Sequence, residues 1–226
     1  MTKDRREIIG IGAYFVAYLV YLFLYQEGEA AHWIALVTLP GLIVWLAGGR
    51  PSFGELLRRV GIGATPWRAG MGLVLVLGIP FQLLQLLNGP QRTALFEALA
   101  GPTGWLAPLL AFGLLIGTAA FTEEFFFRGV IQTRVHSLTS SPLAGIAVAT
   151  TAFILFHVPY AYLSPTWPST GDLAHAIRLA GVNGGLGGVA LGWVFHRSGG
   201  NLYAVVALHA LINLIPATRL VHSWMG

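Results

Sequence analysis

The chain has 226 residues, of which 55% are hydrophobic and only 10% are charged, and its mean hydropathy is +0.70. A typical soluble domain is about 25% charged, so this composition excludes an ordinary water-soluble globule. The sequence contains no cysteine, which excludes disulfides, thiolate metal sites and cysteine nucleophiles.

Long stretches without Asp, Glu, Lys or Arg follow one another along the chain. Each is about as long as the roughly 20 residues that span a bilayer as a helix. Because hydrocarbon offers no partner for open backbone groups, we expect helices in all of them. The sequence therefore predicts an all-α, polytopic transmembrane helix bundle of about seven spans, forming a single transmembrane domain over residues 1–226. The stretches cover residues 8–26, 30–49, 69–91, 98–122, 135–171, 179–196 and 198–218.

The net charge is +4 at pH 7, and the basic residues lie at the ends of the apolar stretches. This scatter predicts no nucleic-acid partner and fits membrane orientation instead. The alternate connections that begin with the N-terminus hold ten basic residues, against three on the other side, which predicts a cytoplasmic N-terminus. The ten are Lys3, Arg5, Arg6, Arg50, Arg58, Arg59, Arg68, Arg128, Arg134 and Arg197; the three are Arg92, Arg178 and Arg219. A Gly- and Ala-rich, Lys-poor composition indicates a bacterial protein, hence one of the inner membrane.

Few polar side chains lie deep within the apolar stretches. A charged side chain near the bilayer centre costs on the order of 2.5 to 3.5 kcal/mol, so those that occur there are candidates for function. Glu124 and Arg128 are four residues apart on one helix face, in the favourable order for an ion pair. Glu123 points about 100° away and has no such partner, which suits it to act as a general base.

The depth of a second polar group can be estimated from the chain. If two helices meet in a turn near Ser140, then Glu123 precedes that turn by the same chain length by which His157 follows it. Both are then about 25 Å from the same turn, at equal depth on antiparallel neighbours. His209 and Asn213 share a face of the last stretch, about 15 Å beyond Gly199-Gly200. We therefore expect these groups to meet at one level.

A Glu, two His and an Asn around one cavity can activate a water molecule and stabilise an oxyanion. These are the requirements for hydrolysis of a peptide bond by direct attack of water.

Three motifs in this order resemble those of a known family. The chain is similar to the CPBP membrane endopeptidases, which include the Ras-converting CAAX prenyl protease of eukaryotes and the bacterial Abi proteins. That family has EExxxR, FxxxH and HxxxN on three hydrophobic segments. Here they stand as Glu123-Glu124 with Arg128, Phe153 with His157, and His209 with Asn213, within residues 105–216.

The resemblance implies an intramembrane endopeptidase of the glutamate type. Glu123 and His157 would activate the water, and His209 and Asn213 would stabilise the oxyanion. Glu124, Arg128 and Phe153 would support them. The resemblance requires no cofactor; if zinc is present, its ligands would be Glu123, His157 and His209, since no HExxH occurs and Asn is a poor zinc ligand.

The substrate implied by the resemblance is a membrane-associated protein or peptide, cut near its C-terminus or in a membrane-associated segment. Whether it is prenylated stays open at this point. Two other classes of function also stay open: a catalytically inactive membrane immunity or interaction protein, and a proton-coupled transporter. A transporter built from inverted repeats should show two similar halves, whereas the buried ionisable residues here all fall in the second half.

Overall fold

The computed structural model describes residues 3–25, 29–102, 104–165 and 167–225. These residues form helices and contain no strand, which confirms the predicted all-α bundle. The helices are α1 Lys3–Leu24, α2 Glu29–His32, α3 Trp33–Ala47, α4 Phe53–Arg59, α5 Met71–Leu87, α6 Gly89–Ala100, α7 Leu106–Thr139, α8 Pro142–Leu163, α9 Leu173–Arg197, α10 Leu202–Ile212 and α11 Leu214–Met225.

Fewer helices than seven are long and apolar enough to cross a membrane. Within the described ranges, α1, α7 and α8 meet that test, and the bent pairs α5–α6 and α10–α11 raise the number to five. The first pair bends by 100° and the second by 64°. The predicted stretch at residues 30–49 yields only the shorter helix α3. The stretch at residues 179–196 lies in α9, which is 25 residues long but rich in glycine and carries Arg178. The chain is thus an integral membrane helical protein, and its described residues hold three to five such spans.

Helix α7 is 34 residues long, and its geometry changes next to Glu123 and Glu124. Glu123 and Glu124 end a regular segment, and the next eight residues, Phe125–Gln132, form wider π-helical turns. Such insertions are rare in regular helices and are frequent at functional sites. The wider turns begin immediately after the two glutamates.

The connections rich in arginine meet at one end of the bundle, here called the basic end and defined by Asp4, Glu7, Arg59 and Arg134. Arg134 Nε donates to Glu7 Oε2 at 3.0 Å, which ties α7 to α1. Arg134 Nη1 also donates to the Arg59 carbonyl at 3.1 Å, and Ser137 Oγ donates to Asp4 Oδ2 at 2.6 Å. The connections predicted to share a membrane face therefore lie together; which face that is stays a prediction.

Helices α8 and α9 pack closely through glycines of α9. A Cβ added at Gly188 would lie 2.8 Å from Thr150 Cγ2, and one at Gly192 would lie 3.2 Å from Ile146 Cγ2. Only a residue without a side chain permits this approach, as small residues do at many membrane helix interfaces. The packing places the polar face of α7 against the backbone of α9.

Candidate active site

The turn that sets the depth of the site lies where the sequence predicts it. Helix α7 ends at Thr139, Ser140 has a left-handed backbone with φ of 54°, and α8 begins at Pro142. Ser141 caps α8 because its Oγ accepts from the Ala144 N–H at 3.2 Å. The equal spacing of Glu123 and His157 from this turn brings them to one level, as expected.

Glu123 faces two imidazoles that come from different helices. Its Oε2 lies 3.8 Å from Nε2 of His157 and 3.9 Å from Nε2 of His209. This oxygen is buried and has no hydrogen-bond partner among the described residues. Both distances exceed direct hydrogen bonds and are suited to bridging by water. The predicted meeting of Glu123, His157 and His209 is thus observed.

The hydrogen bonds of the two histidines fix which nitrogen faces Glu123. His157 Nδ1 lies 2.8 Å from the Phe153 carbonyl, which can only accept, so Nδ1 carries the proton. His209 Nδ1 lies 2.7 Å from Glu124 Oε1, and it donates to this carboxylate. In each neutral ring, Nε2 is therefore the basic nitrogen, and it faces Glu123.

Glu124 and Arg128 form the buried ion pair that their spacing predicts. Arg128 Nη1 donates to Glu124 Oε1 at 3.0 Å, and both side chains are fully buried. The same oxygen accepts from His209, so the pair also orients that imidazole. Arg128 Nη2 donates to the Gly188 carbonyl at 3.2 Å. A charge this deep is tolerated because it is paired and hydrogen-bonded.

Phe153 supports the site in two ways. Its carbonyl accepts the hydrogen bond that orients His157. The Cζ atom of Arg128 lies 4.6 Å from the centroid of the Phe153 ring. The centroid of the same ring lies 4.4 Å from the imidazole centroid of His157. The cation–π contact adds to the ion pair in holding the guanidinium.

Asn213 lies at the end of α10, where the chain bends into α11. Its N–H donates to the His209 carbonyl at 3.1 Å, which keeps it one helical turn beyond that histidine. Its side chain is half-buried. Among the described residues, no hydrogen bond or ion pair joins this side chain to Glu123, His157 or His209. The structure therefore brings the imidazoles of His157 and His209 within 4 Å of the Glu123 carboxylate, and Asn213 is tied to this group through its backbone bond to His209.

The three side chains of the site differ in their exposure. The side chain of His157 is 20% exposed and that of Glu123 is 10% exposed, whereas His209 is 5% exposed. His157 is therefore the most exposed of the three side chains, and Glu124 and Arg128 are fully buried.

Glu123, His157 and His209 are the ligands predicted in case the site takes zinc. Within the part of the chain that the structure describes, no group of three or more His, Cys, Asp or Glu side chains is arranged to hold a metal ion. The two imidazole nitrogens and the carboxylate oxygen do offer the donor types that zinc prefers.

Two uncharged amides of α5 also hold the end of α10, and neither residue was predicted from the sequence. Gln82 Nε2 donates to the Leu211 carbonyl, and Gln85 Nε2 donates to the Ile212 carbonyl at 2.6 Å. Pro216 lacks the N–H that would normally bond Ile212, so Gln85 replaces it. Two glutamines three residues apart in an apolar stretch could have predicted a hydrogen-bonding role inside the bundle.

Comparison with known proteins gives one finding. A family model, described as type II CAAX prenyl endopeptidase Rce1-like, matches residues 103–215, which is half of the chain. Neither the curated proteins nor the solved structures yield a match. The matched region contains all three motifs and every residue of the site described above except Gln82, Gln85 and Pro216. The chain belongs to the Rce1-like family of type II CAAX prenyl endopeptidases.

Proposed function

We propose that this protein is an intramembrane endopeptidase of the glutamate type that hydrolyses a peptide bond of a membrane-associated protein or peptide substrate. The observation that carries the proposal is the position of Glu123 Oε2, 3.8 Å and 3.9 Å from the two Nε2 atoms. A water molecule there contacts a carboxylate and a basic imidazole nitrogen at once. Membership of a protease family points the same way.

The proposed reaction begins with the water held by Glu123 and His157. Glu123 takes a proton from this water as its oxygen forms a bond to the carbonyl carbon of the substrate. The carbonyl oxygen becomes an oxyanion. The proton then passes from Glu123 to the leaving nitrogen, and the C–N bond breaks. One water is consumed, and a carboxyl and an amine are released.

His209 is proposed to stabilise the oxyanion, together with Asn213. Since Glu124 holds Nδ1 of His209 as a donor at 2.7 Å, Nε2 donates to the oxyanion only when the ring carries a second proton as an imidazolium; Nε2 is the nitrogen that faces Glu123. A fixed donor of this kind is worth about 3 to 4 kcal/mol to a hydrolytic transition state. The half-buried carboxamide at the α10 end is the second proposed donor.

Substrate class and metal dependence are tested together. The purified full chain, in liposomes, is given a C-terminal CAAX peptide with and without an S-farnesyl group, and products are identified by mass spectrometry. We expect cleavage near the C-terminus, undiminished by a strong zinc chelator. Cleavage of the farnesylated peptide alone would assign a prenyl-protein substrate. Loss of activity in chelator, restored by zinc, would replace the metal-free mechanism with one in which Glu123, His157 and His209 are ligands. Failure to cleave either peptide, with a second set of membrane-anchored peptides also intact, would contradict the proposal.

A further inference from the structure

A cavity of about 620 Å³ lies at the ends of α7 and α9, near the basic end. Gln132 lines it together with His136 and His196, whose ring centroids are 6.0 Å apart. Gln132 is 4% exposed, and its Nε2 donates to the Gly192 carbonyl at 2.9 Å. Its Oε1 is buried and has no hydrogen-bond partner in the described part of the chain. Gln132 therefore contributes a polar side chain to the wall of the cavity.

Polar groups continue from this wall towards the active site. Arg128, four residues before Gln132, donates to the Gly188 carbonyl, four residues before Gly192. The two contacts are thus one helical turn apart along the α7–α9 interface. Thr150 of α8 lies at the same level, because its Oγ1 is 3.2 Å from the point where a Cβ of Gly188 would be.

Five side chains of α7 and α8 in this region each have one buried polar atom without a hydrogen-bond partner among the described residues. The atoms are Gln132 Oε1, Thr150 Oγ1, Arg128 Nε, Glu124 Oε2 and Glu123 Oε2. Such atoms are rare in native proteins, and internal water is their usual partner. Four of the five lie on successive turns of α7, from Gln132 beside the cavity to Glu124 and Glu123, and the fifth belongs to Thr150 of α8.

Glycines of α9 set how closely its backbone approaches the polar face of α7. Gly188 and Gly192 place no side chain between α9 and the polar face of α7, and a Cβ at Gly192 would lie 3.0 Å from Gln132 Oε1. The bare helix backbone therefore leaves carbonyl acceptors, rather than methyl groups, along this face.

We propose that Gln132, Thr150 and Arg128 line a route for water from the cavity near the basic end to Glu123. This inference rests on the proposed function, because hydrolysis consumes one water for every bond cut. The route enters from behind the site, on the side of the Glu124–Arg128 pair. The partly exposed face at His157 is then left to the peptide, so that substrate and water do not compete for one entrance.

The absence of cysteine from the sequence permits a direct test. Thr150→Cys and Ala152→Cys introduce one thiol each on α8, at positions of matched exposure, 7% and 8%. Silver ion, which is similar to water in size and does not cross lipid, is added to the full chain in chloride-free liposomes. The remaining thiol is then titrated with a maleimide after denaturation. We expect Thr150→Cys to react at least tenfold faster than Ala152→Cys.

A second variant tests the direction of entry. Gln132→Leu, added to Thr150→Cys, replaces the polar wall and should slow the reaction at least tenfold. Gly192→Ala gives the same test where Gln132→Leu fails to fold. Equal rates for the two cysteines would overturn the route. A fast Thr150→Cys reaction that neither second change slows would also overturn it, because water would then enter from the His157 side.

The labelling does not depend on catalysis, so it separates the route from the function. It is repeated in the Glu123→Gln background. If the chain that retains Glu123 cleaves no peptide but labels as expected, the water path stands and the peptidase proposal fails. A chain that cleaves peptide but labels both positions equally keeps the peptidase proposal and loses the path.

Discussion

Glu123 Oε2 and His157 Nε2 lie 3.8 Å apart, although they belong to different helices and lie far apart in the chain. The turn at Ser140 brings them together because the chain runs equally far from Glu123 to the turn and from the turn to His157. Neither group reaches the other by a direct hydrogen bond. A carboxylate and an imidazole held at this distance are suited to hydrogen-bond a water molecule between them, and not to pair directly with each other.

The buried Glu124–Arg128 pair is expected to stabilise the fold as well as to orient His209. Glu124→Ala leaves a fully buried guanidinium without its carboxylate, which should lower the free energy of unfolding by about 3 to 5 kcal/mol. Thermal unfolding in detergent measures this change. The matched control is Glu55→Ala, which removes an exposed carboxylate from an i,i+4 pair and should have a far smaller effect. Equal effects of the two changes would contradict a buried role for Glu124.

Neighbouring glycines of α9 should respond differently to alanine. A Cβ at Gly188 would meet Thr150 Cγ2 at 2.8 Å, whereas one at Gly187 has nothing within 4 Å. Gly188→Ala should therefore destabilise the bundle by about 1 to 3 kcal/mol through overpacking. Gly187→Ala should be neutral or stabilise it, because alanine favours the helix. Melting temperatures of the two variants check this, and identical shifts would contradict the α8–α9 packing.

The end of α10 depends on an amide from another helix. Gln85→Leu removes the donor to the Ile212 carbonyl. Pro216 cannot replace this donor, because proline has no backbone N–H. Loss of this hydrogen bond from a part-buried carbonyl should cost about 1 kcal/mol. Loosening this end also moves Asn213 relative to His209, so peptide cleavage should slow. Unfolding and cleavage are measured on the same preparation, and a variant unchanged in both would show that the bend holds without Gln85.

The contribution of Glu55 to stability should depend on pH. Glu55 lies in the short helix α4, outside the membrane spans. Hydrogen bonds from Arg59 and then Arg58 lower the pKa of Glu55 below its ordinary value of 4.5. The ionised carboxylate is thus favoured in the folded chain, and its contribution to stability is present above pH 4.5 and lost as the pH falls through the lowered pKa. The difference in melting temperature between the natural chain and Glu55→Gln should therefore shrink to zero on acidification. A difference that persists unchanged under strongly acidic conditions would contradict the pairing.

The sequence predicted the helical class and the depth of the site well, because both follow from simple geometry. Uncharged stretches require helices in lipid. The equal spacing of Glu123 and His157 from Ser140 requires equal depth once the helices are antiparallel. The Glu124–Arg128 pair followed from its i,i+4 spacing.

Other features could not be read from spacing. The sharp bends within α5–α6 and α10–α11 depend on tertiary contacts, such as the amide of Gln85 on α10, and they reduce the number of straight spans. The Gly188 carbonyl became an arginine partner only because α9 packs against α7. Asn213 is four residues beyond His209, yet α10 ends at Ile212 and the chain bends there by 64°, which the spacing alone does not predict.

The central claim is that the carboxylate of Glu123 activates the hydrolytic water, and Glu123→Gln tests it most directly, since the amide has nearly the same shape but is a far weaker base. The rate of peptide cleavage by this variant is compared with that of Glu97→Gln, which alters an exposed glutamate outside the site. We expect Glu123→Gln to be slower by about 10² to 10⁴-fold and Glu97→Gln to be unchanged. A folded Glu123→Gln protein that cleaves at the rate of the natural chain would contradict the account.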